Sequence, residues 1–593
     1  MRGRSVATSP RTELRWNLPP QPTEEIRALA GALQIRMPAA QVLWNRGYRD
    51  PACARAFLRA PIDALHDPWL LAGMREAVER LLAAIRAREP VLVYGDYDVD
   101  GASSVVILKK AIELTGGVAS FHVPHRLKDG YGMRSEVVEE AAARGVKLII
   151  SVDTGIRAAG VVRHAAALGI DVIVTDHHLP EEDLPPALAV LNPNRPDCGY
   201  PDKNLCGAGV AFKLVHALFL RLEWPPERVR RMLESFLKLV AIATVADVTP
   251  LTGENRIIVK RGLAGLDRVR NPGLRALLDV AGLNEGERPS AGQVAFRIAP
   301  RINAAGRMAT ANDVIDLFTT EDPDRARALA DQLHALNQER QEAEAAIVRE
   351  ILARCEQQPV SPDQFALVFS GAGWHRGVVG IVASRLVERF HRPVIVLSEE
   401  DGQAQGSGRS IPAFHLLEAL DSMSDLFIRY GGHRQAAGVA LPVERVAEFR
   451  ERLNRFAAAL LMPEDLRPAL DIDGVISFSE ISDEAVMEVL ELAPFGFGNP
   501  APVFLAPAAE VYGPPESWND KNLNVRLKQN GRSLRIKAWN FAERADEFPV
   551  GARLDAAIAF DEDPYSAARG YAPWRVVLKD VRPAAGLAAH AAE

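Results

Sequence analysis

The stretch VLVYGDYDVDG, residues 91–101, is a short apolar run that leads into three aspartates. Residues 91–94 predict a buried β-strand, and residues 103–114 predict the helix that follows it. The alternation continues, with further strands predicted at 118–123, 147–152, 171–175 and 188–191 and helices at 135–143 and 156–168. Strands rich in valine and isoleucine with helices between them indicate a parallel sheet covered on both faces.

Three of these predicted strands end in polar clusters. The first runs into Asp98 and Asp100, the third into Asp153, and the fourth into Asp176-His177-His178. Carboxyl ends of parallel strands converge on one rim of a sheet, so we expect these side chains to meet. Carboxylates that lie so close to one another cannot all stay ionised without cations. Oxygen ligands with an imidazole suit Mn²⁺ or Mg²⁺.

A structural explanation exists for each cluster taken alone, because aspartates cap helices and histidines pack in cores. Three clusters on one predicted rim favour a metal site over that explanation. A further acidic residue, Asp247, closes the apolar helical run at 239–246 and has few polar neighbours in the sequence.

The rest of the chain predicts an α/β multidomain protein. Asp322 and Pro323 predict the start of a long helix, which meets no glycine or proline until Pro359 and so would rigidly connect two domains. A second, smaller α/β domain follows, with strands at 365–369, 394–397 and 403–407. After Pro463 alternating strands at 523–527, 533–539, 554–560 and 574–578 predict a β-barrel, with Asn530-Gly531 as a hairpin turn. The predicted boundaries are 1–75 (a helical cap region), 76–320, 321–358, 359–462 and 463–593.

Several segments suit an anionic substrate. Residues 301–307, RINAAGR, predict a loop with two cations and an amide, although an ordinary charged loop explains them equally well. Residues 407–410 (SGRS), 431–438 (GGHRQAAG) and 374–377 (WHRG) predict glycine turns before helices. Such turns present free N–H groups to anions, and three of them in one domain favour phosphate binding.

The predicted barrel has a basic stretch between two tryptophans, Trp518 and Trp539. Basic side chains beside aromatic ones suit a single-stranded nucleic acid, while a solvated barrel face is nearly as good an explanation. No acidic residue interrupts the basic residues, which are Lys521, Arg526, Lys528, Arg532, Arg535 and Lys537.

Composition limits the function classes. The net charge of −7 excludes a positive field over the whole molecule but permits a local basic groove. Four cysteines without a CxxC pair indicate reduced thiols rather than a zinc ribbon. Residues 1–10 lack a following apolar region, and no apolar run approaches the ~20 residues that span a bilayer. We therefore expect a cytoplasmic protein without a signal peptide or membrane segment.

The motifs GDYDVDG, VDTG and DHH, at 95–101, 152–155 and 176–178, resemble in order and spacing the DHH phosphoesterase superfamily and, within it, the RecJ exonucleases. The likeness covers almost the whole chain. It implies that Asp176 orients the histidines and that His178 contacts the scissile phosphate. Asp96 lies near this set, and Thr154 stands where the family more usually has Asn or Cys. The resemblance implies these ligands for two divalent ions: Asp98, Asp100, Asp153, His177 and Asp247.

The second domain and the barrel extend the resemblance. GSGRS at 406–410 and GGHxxAAG at 431–438 are similar to the DHH-associated domain, and the C-terminal region to the OB-fold of RecJ proteins. By this likeness Arg126 helps to hold a 5′ end. The implied contacts to substrate phosphates are Arg301, Asn303, Ser407, Arg409 and His433.

The resemblance implies a single-stranded-DNA-specific 5′→3′ exonuclease that releases 5′-mononucleotides by two-metal hydrolysis and acts in DNA repair, including mismatch repair, and recombination. It also implies a monomer, with a single-strand binding protein and a helicase as candidate partners. One alternative is a phosphoesterase for pyrophosphate, cyclic dinucleotides or nanoRNA, which would not need the barrel. Another is a non-catalytic scaffold, which should have lost metal ligands. The preferred metal, processivity, activity on RNA and direct metal contacts of Asp96 or Asp176 stay open.

Overall fold

A computed structural model describes residues 14–20, 22–126 and 129–584. These residues form two compact units, one built on Ala335–Leu470 with the N-terminal strand and the other on Leu18–His334 together with the chain from Asp471 onward. Residues 1–10, where we expect no signal peptide, lie outside the described ranges. Among the described residues, no helix is long and apolar enough to cross a membrane.

Between Glu24 and Arg59 the chain is mainly helical, and its three helices pack into the C-terminal barrel. Val42, Leu43 and Phe57 share one apolar core with Phe478 and Phe504 of the barrel region. The first elements are β1 (Arg15–Asn17), α1 (Glu24–Leu33), α2 (Met37–Asn45) and α3 (Pro51–Arg59).

The predicted parallel sheet is confirmed. In the described residues it has five strands, and its central strand is buried along its whole length. The strands are β2 (Pro90–Tyr94), β3 (Val118–His122), β4 (Leu148–Val152), β5 (Asp171–Thr175) and β6 (Ala189–Leu191), in the spatial order β3-β2-β4-β5-β6. Every neighbouring pair is parallel, so all the carboxyl ends lie on one edge.

Helices cover this sheet and continue beyond it. The helix after the first strand of the sheet begins at Val99, four residues before our prediction, because Asp98 caps it. The helices are α4 (Met74–Ala87), α5 (Val99–Leu114), α6 (Ser135–Ala143), α7 (Ala159–Ala167), α8 (Gly207–Arg221), α9 (Pro226–Ala246), α10 (Gly253–Ala264), α11 (Pro272–Val280), α12 (Ala291–Gln293), α13 (Ala299–Met308) and α14 (Asn312–Thr319).

One prediction in this region is wrong. Residues 301–307 belong to helix α13 and do not form a loop. Pro300 lies in the first helical turn, where its missing N–H costs nothing. Gly306 is tolerated because it packs against the carbonyl of Tyr97, where a Cβ would come within 2.5 Å of the oxygen.

The long helix is confirmed as α15 (Pro323–Gln357). Its predicted start is also confirmed, since Asp322 Oδ1 accepts a hydrogen bond from Asp324 N at 3.0 Å. In its second half, Arg340 pairs with Glu344 at 2.8 Å, and Glu344 also accepts from Arg385 of the smaller α/β domain. The pair between the buried Glu344 and the exposed Arg385 attaches that half of the helix to the smaller domain.

The smaller domain has a mixed sheet. In the described residues its strand order is β10-β11-β9-β8-β7, and the β7–β8 pair is parallel while the others are antiparallel. Its elements are β7 (Leu367–Ala372), α16 (Val379–Phe390), β8 (Val394–Glu400), β9 (Gln403–Arg409), α17 (Leu416–Asp421), β10 (Arg429–Gly432), β11 (Ala436–Pro442) and α18 (Val446–Leu460).

Two of the three predicted glycine turns are therefore wrong. Ser407–Arg409 ends strand β9, and residues 431–438 form the β10–β11 hairpin. Gly406 lies so close to the backbone of Val396 on the adjacent strand that a Cβ would overlap it, so this glycine serves strand packing. The turn at 374–377 does precede a helix, α16, as predicted.

The C-terminal region closes into a β-barrel, as predicted. Among the described residues, strands β14, β18, β19, β17 and β16 form a closed ring through the β14–β16 pairing. Asn530 and Gly531 both have positive φ, which confirms the predicted hairpin turn. The elements are β12 (Ala469–Asp471), β13 (Gly474–Val475), α19 (Asp483–Leu490), β14 (Phe504–Val511), β15 (Glu516–Trp518), β16 (Asn522–Gln529), β17 (Arg532–Ala538), β18 (Arg553–Glu562), α20 (Pro564–Ala567) and β19 (Trp574–Pro583).

Candidate metal centre

The carboxylate of Asp98 fixes the start of helix α5. Its Oδ1 accepts hydrogen bonds from the backbone N–H groups of Asp100 at 2.9 Å and Gly101 at 3.0 Å. Gly101 lies against Asp96, where a Cβ would come within 2.6 Å of the carbonyl oxygen. The GDYDVDG stretch therefore forms a tight turn that brings its aspartates together.

Asp100 is held by a second helix. Its Oδ2 accepts from Gly207 N at 2.6 Å and its Oδ1 from Ala208 N at 2.8 Å, both at the start of α8. Only the run of small residues at 207–209 could have hinted at this contact in the sequence. Gly207 is also necessary for space, because a Cβ there would lie 2.6 Å from the Cβ of Asp153.

Asp153 adopts a strained backbone, with φ of +57°. Its side chain is 3% exposed, and its Oδ1 has no hydrogen-bond partner among the residues that the structure describes. A buried, unsatisfied carboxylate oxygen is costly unless a ligand fills its place.

His177 lies at the centre of the carboxylates. Its Nε2 is 3.2 Å from Asp153 Oδ1, 3.8 Å from Asp100 Oδ2 and 3.9 Å from Asp247 Oδ2. The structure thus brings together the residues that we predicted from separate strand ends, and adds Asp247 from the end of α9.

His178 is oriented by its neighbours. Its Nδ1 lies 2.7 Å from Asp176 Oδ1 and 3.3 Å from the hydroxyl of Tyr131. Asp176 is fully buried and accepts further hydrogen bonds from the backbone N–H groups of both histidines and of Ile156. Because Asp176 is saturated with hydrogen bonds, its geometry suits an orienting role.

Three residues that we did not single out complete this arrangement. The Tyr131 hydroxyl donates to the carbonyl of Asp153 at 3.2 Å. Asn192 and Asn194 donate through Nδ2 to the carbonyls of His178 and His177, at 2.8 Å and 2.6 Å. The asparagines follow the next strand, β6, so the rule that located the other clusters could have found them.

The electrostatics of the rim are those of crowded like charges. Burial, and then the neighbouring carboxylates, raise the pKa of Asp153 well above its usual range. The same causes raise the pKa of Asp247 to about 9. Burial and Asp98 raise the pKa of Asp96 to about 8. A divalent cation would remove this penalty.

The histidines differ in their titration. Burial lowers the pKa of His177, which favours the neutral imidazole that binds metals. Burial is the largest single influence on His178 and disfavours its charged form, but the hydrogen bond and charge of Asp176, together with the charges of Asp100 and Asp98, outweigh burial and raise the pKa of His178.

The potential ligand atoms fall into three overlapping groups, each within 4.8 Å. The groups are Asp153 with His177 and His178, Asp100 with His177 and Asp247, and Asp96 with Asp98 and Asp153. Asp96 thus joins a possible ligand set, and its Oδ1 has no hydrogen-bond partner in the described part of the chain. The three groups offer enough oxygen and imidazole donors for divalent cations such as Mn²⁺ or Mg²⁺.

A cavity of about 90 Å³ opens beside these groups. Asn303 lines it together with Asp98, Asp100 and Asp247. The side chain of Asn303 also accepts a hydrogen bond from Val99 N at 3.2 Å, so helix α13 is attached directly to the aspartate turn.

Comparison with known proteins agrees with this geometry. Three family models match: the DHH family, N-terminal domain at residues 90–244, the DHHA1 domain at 363–459 and the RecJ OB domain at 472–571. The single-stranded-DNA-specific exonuclease RecJ of Bacillus subtilis (strain 168) is 38% identical over 92% of this chain and 68% of its own length.

The chain belongs to the RecJ family. Its fold matches the crystal structure of RecJ in complex with Mn²⁺ from Thermus thermophilus, with a TM-score of 0.81, 32% identity and coverage of 97% of this chain and 80% of that one. The structure of RecJ in complex with Mg²⁺ from the same organism matches with a TM-score of 0.76, 31% identity and coverage of 97% and 79%.

The other predicted site residues of this RecJ-family chain lie in three places. Arg126 stacks on Tyr97 of the aspartate turn, with its guanidinium carbon 4.9 Å from the ring centre. Arg301 lies on α13, where its Nε donates to His334 Nδ1 at 3.2 Å and one terminal nitrogen donates to the carbonyl of Arg297. Arg126 therefore lies beside the candidate ligands at the edge of the sheet, which we call the metal rim. Arg301 braces the helix that carries Asn303. The metal rim comprises Asp96, Asp98, Asp100, Asp153, His177, His178 and Asp247.

In the smaller domain, Ser407, Arg409 and His433 lie on and beside neighbouring strands. Arg409 pairs in register with Ala436, and His433 N donates to the carbonyl of Ala436 at 2.8 Å. The side chains of Ser407 and Arg409 both lie against Gly380, near the start of α16, where a Cβ would be 3.4 Å and 3.2 Å from them. The RecJ-family motif residues of this domain therefore form one group.

On the barrel, the basic stretch is a hairpin surface. Arg526 and Arg535 are paired across strands β16 and β17, and both bind Glu516 of the neighbouring strand β15. Lys537 Nζ lies 5.1 Å from the ring centre of Trp518 and 5.9 Å from that of Trp539. Glu516 neutralises the charge of Arg526 and Arg535 in the predicted basic stretch. Lys537 lies instead beside the two tryptophans.

Proposed function

We propose that this chain is a metal-dependent, single-stranded-DNA-specific exonuclease that works 5′→3′ and releases 5′-mononucleotides. The observation that carries the proposal is the convergence of three carboxylates within 3.9 Å of His177 Nε2 in a chain of the RecJ family. The relatives are single-stranded-DNA-specific exonucleases by name, and their ligand-bound structures contain Mn²⁺ or Mg²⁺. Roles in DNA repair and recombination accompany this activity.

The residues present fit divalent cations. Asp153 and Asp96 each have a buried carboxylate oxygen without a hydrogen-bond partner in the described ranges. The raised pKa values of Asp153 and Asp247 mark a site that costs free energy when no cation is bound. The proposed ligands of two Mn²⁺ or Mg²⁺ ions are Asp98, Asp100, Asp153, His177 and Asp247, with Asp96 as an additional candidate.

Bound divalent ions would lower the pKa of a water molecule and stabilise charge on the attacked phosphate. The protein's part is to hold the carboxylates in place. Two helix N-termini do this, because α5 satisfies one oxygen of Asp98 and α8 satisfies both oxygens of Asp100. Asp98 and Asp100, held in this way, both line the cavity.

His178 is proposed to contact a non-bridging oxygen of the scissile phosphate. Asp176 and Tyr131 fix its Nδ1 side, which leaves Nε2 for the substrate. The raised pKa of His178 means that it carries positive charge over a wider pH range than an ordinary histidine does. A cationic donor suits the negative charge that develops on phosphate during hydrolysis.

Further phosphate contacts are proposed for two groups of residues. Arg126, Arg301 and Asn303 belong to the unit that contains the metal rim. Ser407, Arg409 and His433 belong to the smaller domain, where Arg409 offers a guanidinium that can bind phosphate through two N–H groups. Arg126 is the candidate for the 5′ end, because it stacks on Tyr97 between two rim aspartates.

The surroundings of the reaction are also a proposal. We propose that the protein acts as a monomer in the cytoplasm and works with a single-strand binding protein and a helicase that supplies unwound DNA. The family membership supports contact with single-stranded DNA. A small-substrate phosphoesterase is a weaker candidate, because the barrel carries the Lys537–Trp518–Trp539 cluster, which a small substrate would not need.

The test uses the purified full chain, Mn²⁺ and an internally labelled, 5′-phosphorylated single strand, beside the blunt duplex and the Asp153→Ala variant. We expect stepwise release of mononucleotides from the single strand alone, and none from the variant. Labelling each end in turn determines the direction. Hydrolysis of a cyclic or short dinucleotide without cleavage of DNA would instead favour the small-substrate enzyme.

A further inference from the structure

Phe296 is the most exposed of the large apolar side chains in the described ranges, with 82% of its surface open to solvent. Single apolar residues on a surface are common and need no explanation by themselves. The position of Phe296 in the fold is what distinguishes it from the other exposed apolar residues.

The ring projects from a π-helical turn, Val294–Ile298, between α12 and α13. Such turns are rare and often occur at functional sites, because they insert a residue that a regular helix would not place there. The two ends of the turn, Val294 and Ile298, are fully buried. The turn is therefore anchored on both sides, and Phe296 is held outward.

This turn is rigidly connected to the metal rim. Helix α13 follows it directly and carries Asn303, which lines the cavity and binds Val99 N, and Gly306, which packs on the carbonyl of Tyr97. Phe296 precedes Asn303 by seven residues, or about two helical turns, so the two lie roughly on the same side and ~10 Å apart along the axis. That distance is the length of about three stacked nucleotides at ~3.4 Å each.

Positive charge lies on the same helical stretch as the ring. Arg297 is exposed and adjacent to Phe296, and its carbonyl accepts a hydrogen bond from the guanidinium of Arg301. Burial, and then the charge of Arg297, lower the pKa of Arg301, which shows that the two guanidiniums are close. An exposed aromatic ring and cationic side chains on one stretch of helix suit contacts to the bases and phosphates of a single strand.

We propose that Phe296 stacks on an unpaired base of the DNA substrate, a few nucleotides from the phosphate that is cut. This inference rests on the proposed function and adds a residue that positions the strand. A base in a duplex is stacked and paired already, so a stacking contact at this place favours single strands over duplexes.

The test compares Phe296→Ala and Phe296→Trp with Leu114→Ala. Leu114 is a matched control, since it is an exposed apolar residue at the far end of α5, ~22 Å from the metal end of that helix. We expect Phe296→Ala to raise KM for single-stranded DNA about tenfold with a change in kcat below threefold, as the loss of one stacking contact predicts. Phe296→Trp should restore the native KM, and Leu114→Ala should keep it. An equal loss of kcat and kcat/KM in Phe296→Ala without rescue by Trp would mean a structural role.

Abasic substitution separates this inference from the proposed function. The dissociation constant of a 5′-phosphorylated oligonucleotide is measured without divalent ions while one abasic site is moved along the strand. We expect one position near the 5′ end at which base removal weakens binding by the native protein but not by Phe296→Ala. Such coupling in a protein that does not cut DNA would uphold the stacking role and defeat the exonuclease proposal. Equal abasic profiles for native protein and variant would overturn the stacking role, even if cleavage proceeds.

Discussion

The metal rim and the smaller domain satisfy their charged groups in opposite ways. At the rim, Asp153 is buried with an oxygen that lacks a hydrogen-bond partner among the described residues, and its pKa is raised by burial and by its acidic neighbours. Where helix α15 joins the smaller domain, the buried pair Arg340–Glu344 is complete, and Arg385 of that domain extends it. One region stores unfavourable electrostatic energy, and the other has little of it.

This difference in charge compensation indicates which region needs a bound ligand for its stability. Like charges that are forced together are stable only if something else compensates them, and we propose that a cation does so at the rim. A complete ion-pair network needs no ligand. The rim should therefore respond to metal in both activity and stability, whereas the smaller domain should respond to substrate alone.

The largest expected effect is that of Asp153→Asn. This change removes one negative charge and a proposed ligand, so kcat should fall on the order of 10³-fold or more. The metal-free variant should also be more stable than the metal-free native chain, because the repulsion is relieved. Thermal unfolding with and without Mn²⁺ measures this, and Mn²⁺ should raise Tm much less in the variant.

The matched control is Asp171→Asn, at the other end of the same sheet. Asp171 is half exposed and pairs with Arg80 at 2.5 Å. Its loss should cost about 0–1 kcal/mol of stability and leave kcat and the Mn²⁺ response intact. If both variants lose the Mn²⁺ response equally, the rim is not the metal site.

The second effect in size is that of Asp176→Asn. An asparagine keeps the shape but cannot accept hydrogen bonds at both ends of its side chain, so His178 loses its fixed orientation. We expect kcat to fall about 10- to 100-fold, the usual cost of losing a group that orients a site. Metal affinity, measured by Mn²⁺ titration calorimetry, should fall less than in Asp153→Asn. A variant with unchanged kcat would show that Asp176 is only structural.

The third expected effect tests the smaller domain. Arg409→Ala should raise KM for single-stranded DNA about tenfold, since a charged hydrogen bond contributes ~1.5–3 kcal/mol, while the Mn²⁺-induced rise in Tm should stay. Arg409→Lys should give an intermediate KM, because lysine keeps the charge and loses the forked geometry. Arg445→Ala removes a partly exposed arginine of the same domain that pairs with Glu448, and its KM should match the native value. An effect of Arg409→Ala equal to that of Arg445→Ala would exclude a phosphate contact.

The rim could be predicted from the sequence because one physical rule covers it. Parallel strands place their carboxyl ends on one edge, so the clusters around Asp98, Asp153 and His177 had to meet once the strands were recognised. The strand bounds differ from the prediction by no more than one residue, as at Leu148–Val152. The backbone donors of Gly207 and Ala208 could not be predicted, because every residue except proline carries a backbone N–H and the sequence does not show which of them face a carboxylate.

The same reasoning failed where glycine had another purpose. Gly408 suggested a turn before a helix, but it lies in strand β9, where the side chains of Ile395 and Leu416 occupy the space that a Cβ would need. Gly306 suggested a loop, but it allows helix α13 to approach Tyr97. A glycine indicates that another part of the chain comes close to its backbone, but the sequence alone does not tell which part of the chain that is.

The smallest expected effect concerns the stability of variants at His216, and it tests whether a buried atom without a hydrogen-bond partner indicates function by itself. His216 Nδ1, like Asp153 Oδ1, has no hydrogen-bond partner within the described residues. Here burial, and then the charge of Lys213, lower the pKa of His216 to about 3, and no potential metal-ligand group of the described residues includes it. Folded His216 resists protonation, while in the unfolded chain this histidine takes up a proton below its usual pKa of ~6.5. Its contribution to stability is therefore present above pH 6.5 and is lost as the pH falls towards 3.

Between pH 7 and pH 5.5 the free energy of unfolding of the native chain should fall by about 1 kcal/mol more than that of His216→Leu and His216→Asn, as measured by urea unfolding at each pH. All three proteins should have equal kcat at pH 8. A fall in kcat for both variants at unchanged stability would show that an unpaired buried atom indicates function even without carboxylates around it.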